Sequence, residues 1–160
     1  MKFIKLLMDK LLETGAFLSF VGMITVVTIQ VVARYSLPKA PPWTEEAARI
    51  FFVYTVSFAA GLAVKVDAFV YVDTFINLLS ATKQRLLKSC MYLVIALFMG
   101  LIAYQAITYV NVGSIQTSPA LRIPMSYVFA STFIGPFFIG VYSLIELGKI
   151  VRILRGGGTH

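Results

Sequence analysis

The sequence predicts an all-α integral membrane protein with four transmembrane helices, and two observations lead to that prediction. First, 59% of the 160 residues are hydrophobic and 13% are charged, whereas a soluble domain is about half apolar and about a quarter charged. A soluble chain of this size leaves about a third of its surface exposed, so it cannot hide this much apolar surface. Second, the charged residues lie in clusters between long uncharged runs. We expect one membrane domain over residues 1–155 and a flexible tail at 156–160.

The uncharged runs have the length of membrane-crossing helices, which need about 20 residues. They are too long for the strands of a membrane barrel, which need about 9–11 residues. The run at 89–121 contains 33 residues and is too long for one crossing, but a polar segment rich in Ser, Gly and Pro divides it. The run at 50–64 is short and needs extension at both ends. We therefore predict spans at about 14–33, 47–68, 89–112 and 123–145.

The basic residues predict the orientation of these spans. Ten Lys and Arg residues lie before the first span, between the second and third, and after the fourth, while four lie in the two remaining connections. Cytoplasmic loops carry the excess of Lys and Arg, so both termini are expected in the cytoplasm. This placement also accounts for the net charge of +7, and no nucleic-acid partner is expected.

The connection before the second span carries a distinct polar group of residues. Prolines stiffen it, and Trp43 is suited to the headgroup level. We predict Thr44 as an N-cap, with Glu45 and Glu46 in the first helical turn and Arg49 within pairing distance of both. Two compatible interpretations stay open here: a helix start at the membrane interface, and a docking surface for a partner outside the membrane.

The connection between the second and third spans, residues 65–88, is long enough to carry structure of its own. Its apolar residues are interrupted by polar ones, which is typical of a short amphipathic helix in the headgroup plane. Lys83, Arg85 and Lys88 could contact anionic lipid from such a position. A plain basic loop is the alternative interpretation.

The sequence argues against catalysis and against a transport pathway within this chain. One cysteine and one histidine cannot form a metal or haem centre, so no cofactor and no metal are expected. Coupled transporters place ionisable residues inside the bilayer, and the predicted span interiors contain none apart from the edge of the second span. The alternative of a small four-helix homodimeric exporter would need such a carboxylate.

Small residues four positions apart predict close helix packing. These pairs are Gly15/Ser19, Ser57/Gly61, Ala96/Gly100 and Ser131/Gly135.

Two stretches carry a family resemblance. Arg34-Tyr35, a short proline-containing loop, the run Trp-Thr-Glu-Glu-Ala-Ala-Arg at 43–49 and then Gly61 resemble the first outer loop and second helix of the small permease subunit of TRAP (tripartite ATP-independent periplasmic) transporters, DctQ/SiaQ type. Residues 118–127, Ser-Pro-Ala-Leu-Arg-Ile-Pro-Met-Ser-Tyr, resemble that family's S-P-A-L-x-I-P motif. The four-span topology agrees.

The chain departs from this family at three positions. Phe69 stands where the family usually has His, and Arg122 and Tyr127 stand where Gly and Trp are usual. No role of that histidine is carried over.

The resemblance implies a non-catalytic subunit of the bacterial inner membrane. Such a subunit braces a large transport subunit and helps dock a periplasmic substrate-binding protein during sodium-coupled uptake of an organic acid, such as a C4-dicarboxylate or sialic acid. Docking residues are then expected on the outer face, namely Trp43, Glu45, Glu46, Arg49 and Arg122. Structural or interfacial roles are expected for Arg34, Lys65, Asp67, Asp73, Pro119 and Pro124.

Overall fold

The computed structural model describes residues 2–37, 41–66 and 80–155, and within these ranges the chain forms four long α-helices. Each helix is long and apolar enough to cross a membrane, which confirms the predicted four-span, all-α class. The helices are α1 (Lys2–Ser36), α2 (Pro42–Lys65), α3 (Ala81–Gly113) and α4 (Ser126–Arg155). The predicted interfacial helix, with Asp67 and Asp73, and the tail at 156–160 lie outside the described residues.

The helices extend beyond the predicted spans, because a charged side chain marks the edge of the hydrocarbon and not the end of a helix. α1 and α3 begin well before the uncharged runs at 14 and 89. Conversely, α4 begins only at Ser126, since Pro124 precedes it and proline disfavours helical backbone at the residue before it.

The predicted N-cap at Thr44 is wrong. The helix begins at Pro42, and Pro41 occupies the capping position without a side-chain hydrogen bond. Proline suits the first helical position because its missing N–H would have had no partner there. Thr44 is fully buried inside the first turn, and its hydroxyl donates a hydrogen bond to the Pro41 carbonyl oxygen at 2.7 Å.

Three helix pairs, α1–α2, α2–α4 and α3–α4, form the extensive interfaces. The helices are therefore neighbours in the order α1, α2, α4, α3. α2 and α4 therefore form the centre of the domain, whereas α1 and α3 flank it and each leaves a long apolar face exposed. We call the end that holds the start of α2 and the 114–125 connection the loop end, and the opposite end the termini end.

Small residues let α2 and α4 approach closely, as the sequence predicted for these helices. The Ser57 hydroxyl donates a hydrogen bond to the Ser131 carbonyl oxygen at 2.9 Å, and both side chains are buried. A Cβ atom added at Gly61 would lie 2.9 Å from the Cβ of Phe138, and one added at Gly135 would lie 3.5 Å from the Cα of Ser57. At Gly61 the helices are therefore closer than a larger residue would permit, whereas the distance at Gly135 is an ordinary van der Waals contact.

A polar cluster ties three helices together at the termini end. Lys65 Nζ of α2 lies 3.0 Å from Asp9 Oδ2 of α1 and 3.8 Å from Glu13 Oε1. The fully buried Tyr142 of α4 donates its hydroxyl hydrogen to Asp9. Beside this cluster, Leu12 and Val64 are also fully buried. The first described residues of α1 and the last of α4 consequently lie at the same end.

We expect Gly61→Leu to destabilise the domain by about 2 kcal/mol, because the new side chain meets Phe138 across a tightly packed interface. Gly148→Ala is the matched control, since an added Cβ there meets nothing within 4 Å. That change should stabilise α4 by about 0.5–1 kcal/mol through the better helix propensity of alanine. Thermal unfolding of both variants in detergent would measure the difference. Equal melting temperatures would contradict the close α2–α4 approach.

Candidate functional site

The connection between α3 and α4, residues 114–125, folds back on itself at the loop end. The Ser118 amide donates to the Ile123 carbonyl oxygen at 2.9 Å, and the Met125 amide donates to the Gln116 carbonyl oxygen at 2.8 Å. These antiparallel hydrogen bonds close a short loop that contains the whole S-P-A-L-x-I-P stretch. The loop thus has backbone hydrogen bonds of its own in addition to its contacts with α2.

The carboxylate of Glu46 fastens this loop to α2. Its Oε1 accepts a hydrogen bond from the Ser118 hydroxyl, and its Oε2 accepts bonds from the backbone amides of Ala120 at 3.0 Å and Leu121 at 3.1 Å. The Ser118 oxygen also accepts from the Leu121 amide at 3.2 Å, and Ser118 is 1% exposed. Hydrogen bonds to an ionised acceptor are about twice as strong as neutral ones. The half-buried side chain of Glu46 therefore joins α2 to the 114–125 loop.

This contact unites the two stretches that carry the family resemblance. Glu46 and Ser118 are 72 positions apart in the sequence. Sequence reasoning placed Glu46 in a helical pair with Arg49 and missed its loop partners. A signal was present, because an acidic residue at the start of a span and a Ser-Pro turn were both predicted at the same side of the membrane.

Arg122 adopts the left-handed backbone conformation, with φ of 54°. Its amide donates to the Ser118 carbonyl oxygen at 3.1 Å, so this conformation is part of the loop closure. Glycine adopts such a φ without steric cost, whereas other residues carry a penalty of about 1–2 kcal/mol. The loop geometry therefore favours glycine at position 122, where this chain has arginine.

A tyrosine hydrogen bond and a pair of stacked rings hold the start of α4 beside the loop. The Tyr54 hydroxyl of α2 donates to the Tyr127 carbonyl oxygen at 2.5 Å. The rings of Tyr109 in α3 and Phe129 in α4 stack with their centroids 4.1 Å apart. The Tyr127 side chain itself is 63% exposed, so its backbone contributes to the fold and its ring is left at the surface.

Most of the other residues predicted for docking are exposed at the loop end. The Trp43 side chain is 40% exposed, and Arg122 is exposed on the loop. Glu45 Oε1 lies 3.6 Å from Arg49 Nη2, and both side chains are more than 70% exposed, so the ion pair adds little stability. Of the five predicted residues, Glu46 is the one whose charged group the fold itself uses.

The residues predicted for structural or lipid-facing roles fall at both ends. At the loop end, Pro119 and Pro124 are exposed on the connection and Arg34 is exposed near the end of α1. At the termini end, Lys83 and Arg85 are exposed on α3. Lys88 is half-buried and lines a cavity of about 200 Å³ together with Lys65, Tyr92 and Glu146. Lys65 forms an ion pair with Asp9 of α1.

Within the ranges that the structure covers, no group of three His, Cys, Asp or Glu residues is placed to hold a metal ion. The polar contacts observed at the loop end include the hydrogen bonds of Glu46 and the exposed Glu45–Arg49 ion pair.

Comparison with known proteins gives two matches to this chain. The profile of the family "Tripartite ATP-independent periplasmic transporters, DctQ component" matches residues 23–155. A protein of Haemophilus influenzae, named as a TRAP transporter small permease protein, is 32% identical over 142 residues, which are 87% of this chain and 86% of that protein. The family match covers the C-terminal part of α1 from residue 23, all of α2 to α4, and both halves of the Glu46–loop contact.

We expect Glu46→Gln to loosen the 114–125 loop, because one carboxylate oxygen becomes an NH₂ group that cannot accept the existing hydrogen bonds. The free energy of unfolding should fall by about 1–3 kcal/mol. Amide hydrogen exchange of the peptide that contains Ala120 and Leu121 should become faster. The control is Glu45→Gln, which removes an exposed pair and should change stability by less than about 0.5 kcal/mol. Unchanged exchange in the Glu46 variant would count against the contact.

Arg122→Gly should stabilise the loop by about 1 kcal/mol, because glycine removes the steric cost of the left-handed backbone. Arg122→Val should destabilise it, since a β-branched side chain tolerates this conformation least. Melting temperatures of the purified variants would establish the order Gly above Arg above Val. The reverse order would show that φ at this position is not left-handed.

Proposed function

The chain belongs to the DctQ family of TRAP transporter components, and on that premise we propose that it acts as a non-catalytic brace for the large membrane subunit of the transporter. It is a multi-pass TRAP small permease subunit, and this membership replaces the alternative of a homodimeric exporter. In the proposed complex the large subunit carries sodium and an organic acid, such as a C4-dicarboxylate or sialic acid. A periplasmic protein delivers that acid.

The observation that best supports bracing is the Glu46 contact with the loop. A subunit that supports a moving partner must hold its own shape while the partner changes conformation. Here α2 is fastened to the α3–α4 connection at one end, and the Lys65–Asp9–Tyr142 cluster joins α1, α2 and α4 at the other. Between them, the close approach at Ser57 and Gly61 leaves α2 and α4 little freedom to slide.

The distribution of charge supports the assignment of transport chemistry to another subunit. In the described helices, the long stretches at 14–33, 50–64, 89–113 and 126–145 contain no Asp, Glu, Lys, Arg or His. Ion-coupled carriers use such residues, or helices broken at the membrane midplane, to bind substrate and driving ion. By this comparison the chain supplies a scaffold and no binding site for the transported acid.

The exposed side chains at the loop end are our proposed docking surface for the periplasmic binding protein. Trp43, Glu45, Arg49 and Arg122 offer an aromatic ring and charges of both signs. Glu46 contributes indirectly, because it fixes the loop that carries Arg122. Charges at the rim of an interface act mainly on the rate and specificity of association.

The orientation that this docking requires agrees with the charge bias of the sequence. We assign the protein to the bacterial inner membrane, with both termini in the cytoplasm and the loop end in the periplasm, since the Lys and Arg excess lies at the termini end. The exposed Lys83 and Arg85, with Lys88 beside them, are then placed to contact anionic lipid headgroups.

Arg122→Glu should weaken transport driven by the binding protein. The concentration of binding protein that gives half-maximal uptake should rise about three- to tenfold, and this defect should be smaller at high salt. The physical reason is the reversed charge at the docking surface. The assay is uptake into proteoliposomes that contain both membrane subunits. Arg152→Glu is the matched control, because it makes the same reversal at an exposed position of the termini end.

Co-purification of the large subunit separates docking from assembly. The Arg122→Glu variant should retain the large subunit at the wild-type ratio. If the complex falls apart in proportion to the lost uptake, Arg122 has a structural role and the docking proposal fails. Substrate uptake by this chain reconstituted alone would overturn the proposed bracing function.

A further inference from the structure

One side of α3 packs on α4 and the opposite side is exposed along its whole length. The packed side contains Tyr92, Ala96, Ala103 and Ala106, all of them buried. The opposite side carries a row of exposed residues that we call the exposed α3 stripe, namely Leu97, Leu101, Tyr104, Gln105 and Thr108. Leu97, Leu101 and Tyr104 are 59–70% exposed.

Gln105 is an unusual residue for a surface that faces lipid. It lies eight residues before Gly113, the end of α3, which is about 12 Å along the helix. It is also about 25 Å from Lys88 near the other end of the helix, so its carboxamide lies inside a hydrocarbon layer about 30 Å thick. Among the residues that the structure covers, none provides a hydrogen bond to that carboxamide. An unpaired carboxamide in lipid is energetically unfavourable, because lipid offers no hydrogen-bond partner in place of water.

The exposed polar residues of α1 provide a direct comparison. Thr25 and Thr28 also lie on an exposed helix face, but their hydroxyls donate to the carbonyl oxygens of Val21 and Ile24, each at 2.8 Å. Those two threonines therefore need no outside partner, in contrast to Gln105.

The edge of the stripe also has room for a neighbouring helix. A Cβ atom added at Gly100 would meet nothing within 4 Å, so the backbone of α3 is open there, next to Leu97 and Tyr104 on the helix surface. Small residues at such positions permit close approach of another helix.

We propose that the exposed α3 stripe is the surface that receives a transmembrane helix of the large subunit, and that a polar side chain of that helix hydrogen-bonds to Gln105. The proposal rests on the proposed function, because it takes the large subunit as the partner. It assigns the contact to α3 and leaves the exposed face of α1 to lipid.

Site-specific photo-crosslinking in the intact complex tests this assignment. The photo-crosslinker p-benzoylphenylalanine replaces Leu101 in the stripe or, as the matched control, Leu18 on the exposed face of α1, two positions of similar exposure. We expect Leu101 to give an adduct with the large subunit and Leu18 to give none. An adduct of two copies of this chain at Leu101, or no adduct there while the complex remains intact, would overturn the proposal.

Gln105→Leu provides a second measurement. Because the carboxamide has no partner in the described chain, the melting temperature of the isolated protein should not fall, whereas the affinity for the large subunit should drop about three- to tenfold. Thr28→Val is the control, and it should leave that affinity unchanged. Equal affinity of Gln105→Leu and wild type would refute the role of Gln105. If the wild-type chain captures no large subunit at all, the proposed function fails first, and this inference fails with it.

Discussion

The domain depends on one electrostatic arrangement: a carboxylate at the start of a transmembrane helix accepts hydrogen bonds from the loop that joins the next two helices. Backbone amides that are partly withdrawn from water need such acceptors. Glu46 provides them for Ala120 and Leu121 and also binds the Ser118 hydroxyl. The position of the loop relative to α2, and therefore the surface that the loop end presents, follows from this contact.

At the termini end, an ion pair between Lys65 and Asp9 also joins separate helices. Lys65 is only 30% exposed and Asp9 only 14%, so their charges are compensated mainly by each other and by the hydroxyl of Tyr142. Between the two ends the helices are held by van der Waals packing at small residues and by the Ser57–Ser131 hydrogen bond. Such contacts are expected where lipid removes the hydrophobic driving force for helix association.

The sequence was sufficient to predict the class, the number of spans and close helix packing at small residues, because these depend on composition and on local spacing, but it did not indicate which helices would pair. It was not sufficient to predict what Glu46 binds. Helical spacing pairs that residue with Arg49, whereas its observed partners are 72 to 75 positions away. The start of α2 was predicted wrongly for a local reason. Thr44 could cap the helix or lie inside its first turn, and the helix begins earlier because Pro42, which has no N–H, suits the first helical position. The Asp9–Lys65 pair depends on how α1 packs against α2, which no local pattern encodes.

The left-handed residue at position 122 has a consequence for how this surface can vary among related subunits. The steric cost arises at Cβ and is nearly the same for every unbranched side chain. Arginine at this position can therefore be exchanged for lysine, glutamine or glutamate with almost no further steric cost to the loop. The position is therefore a place where evolution can adjust the charge that a subunit displays to its surroundings while the underlying scaffold is preserved.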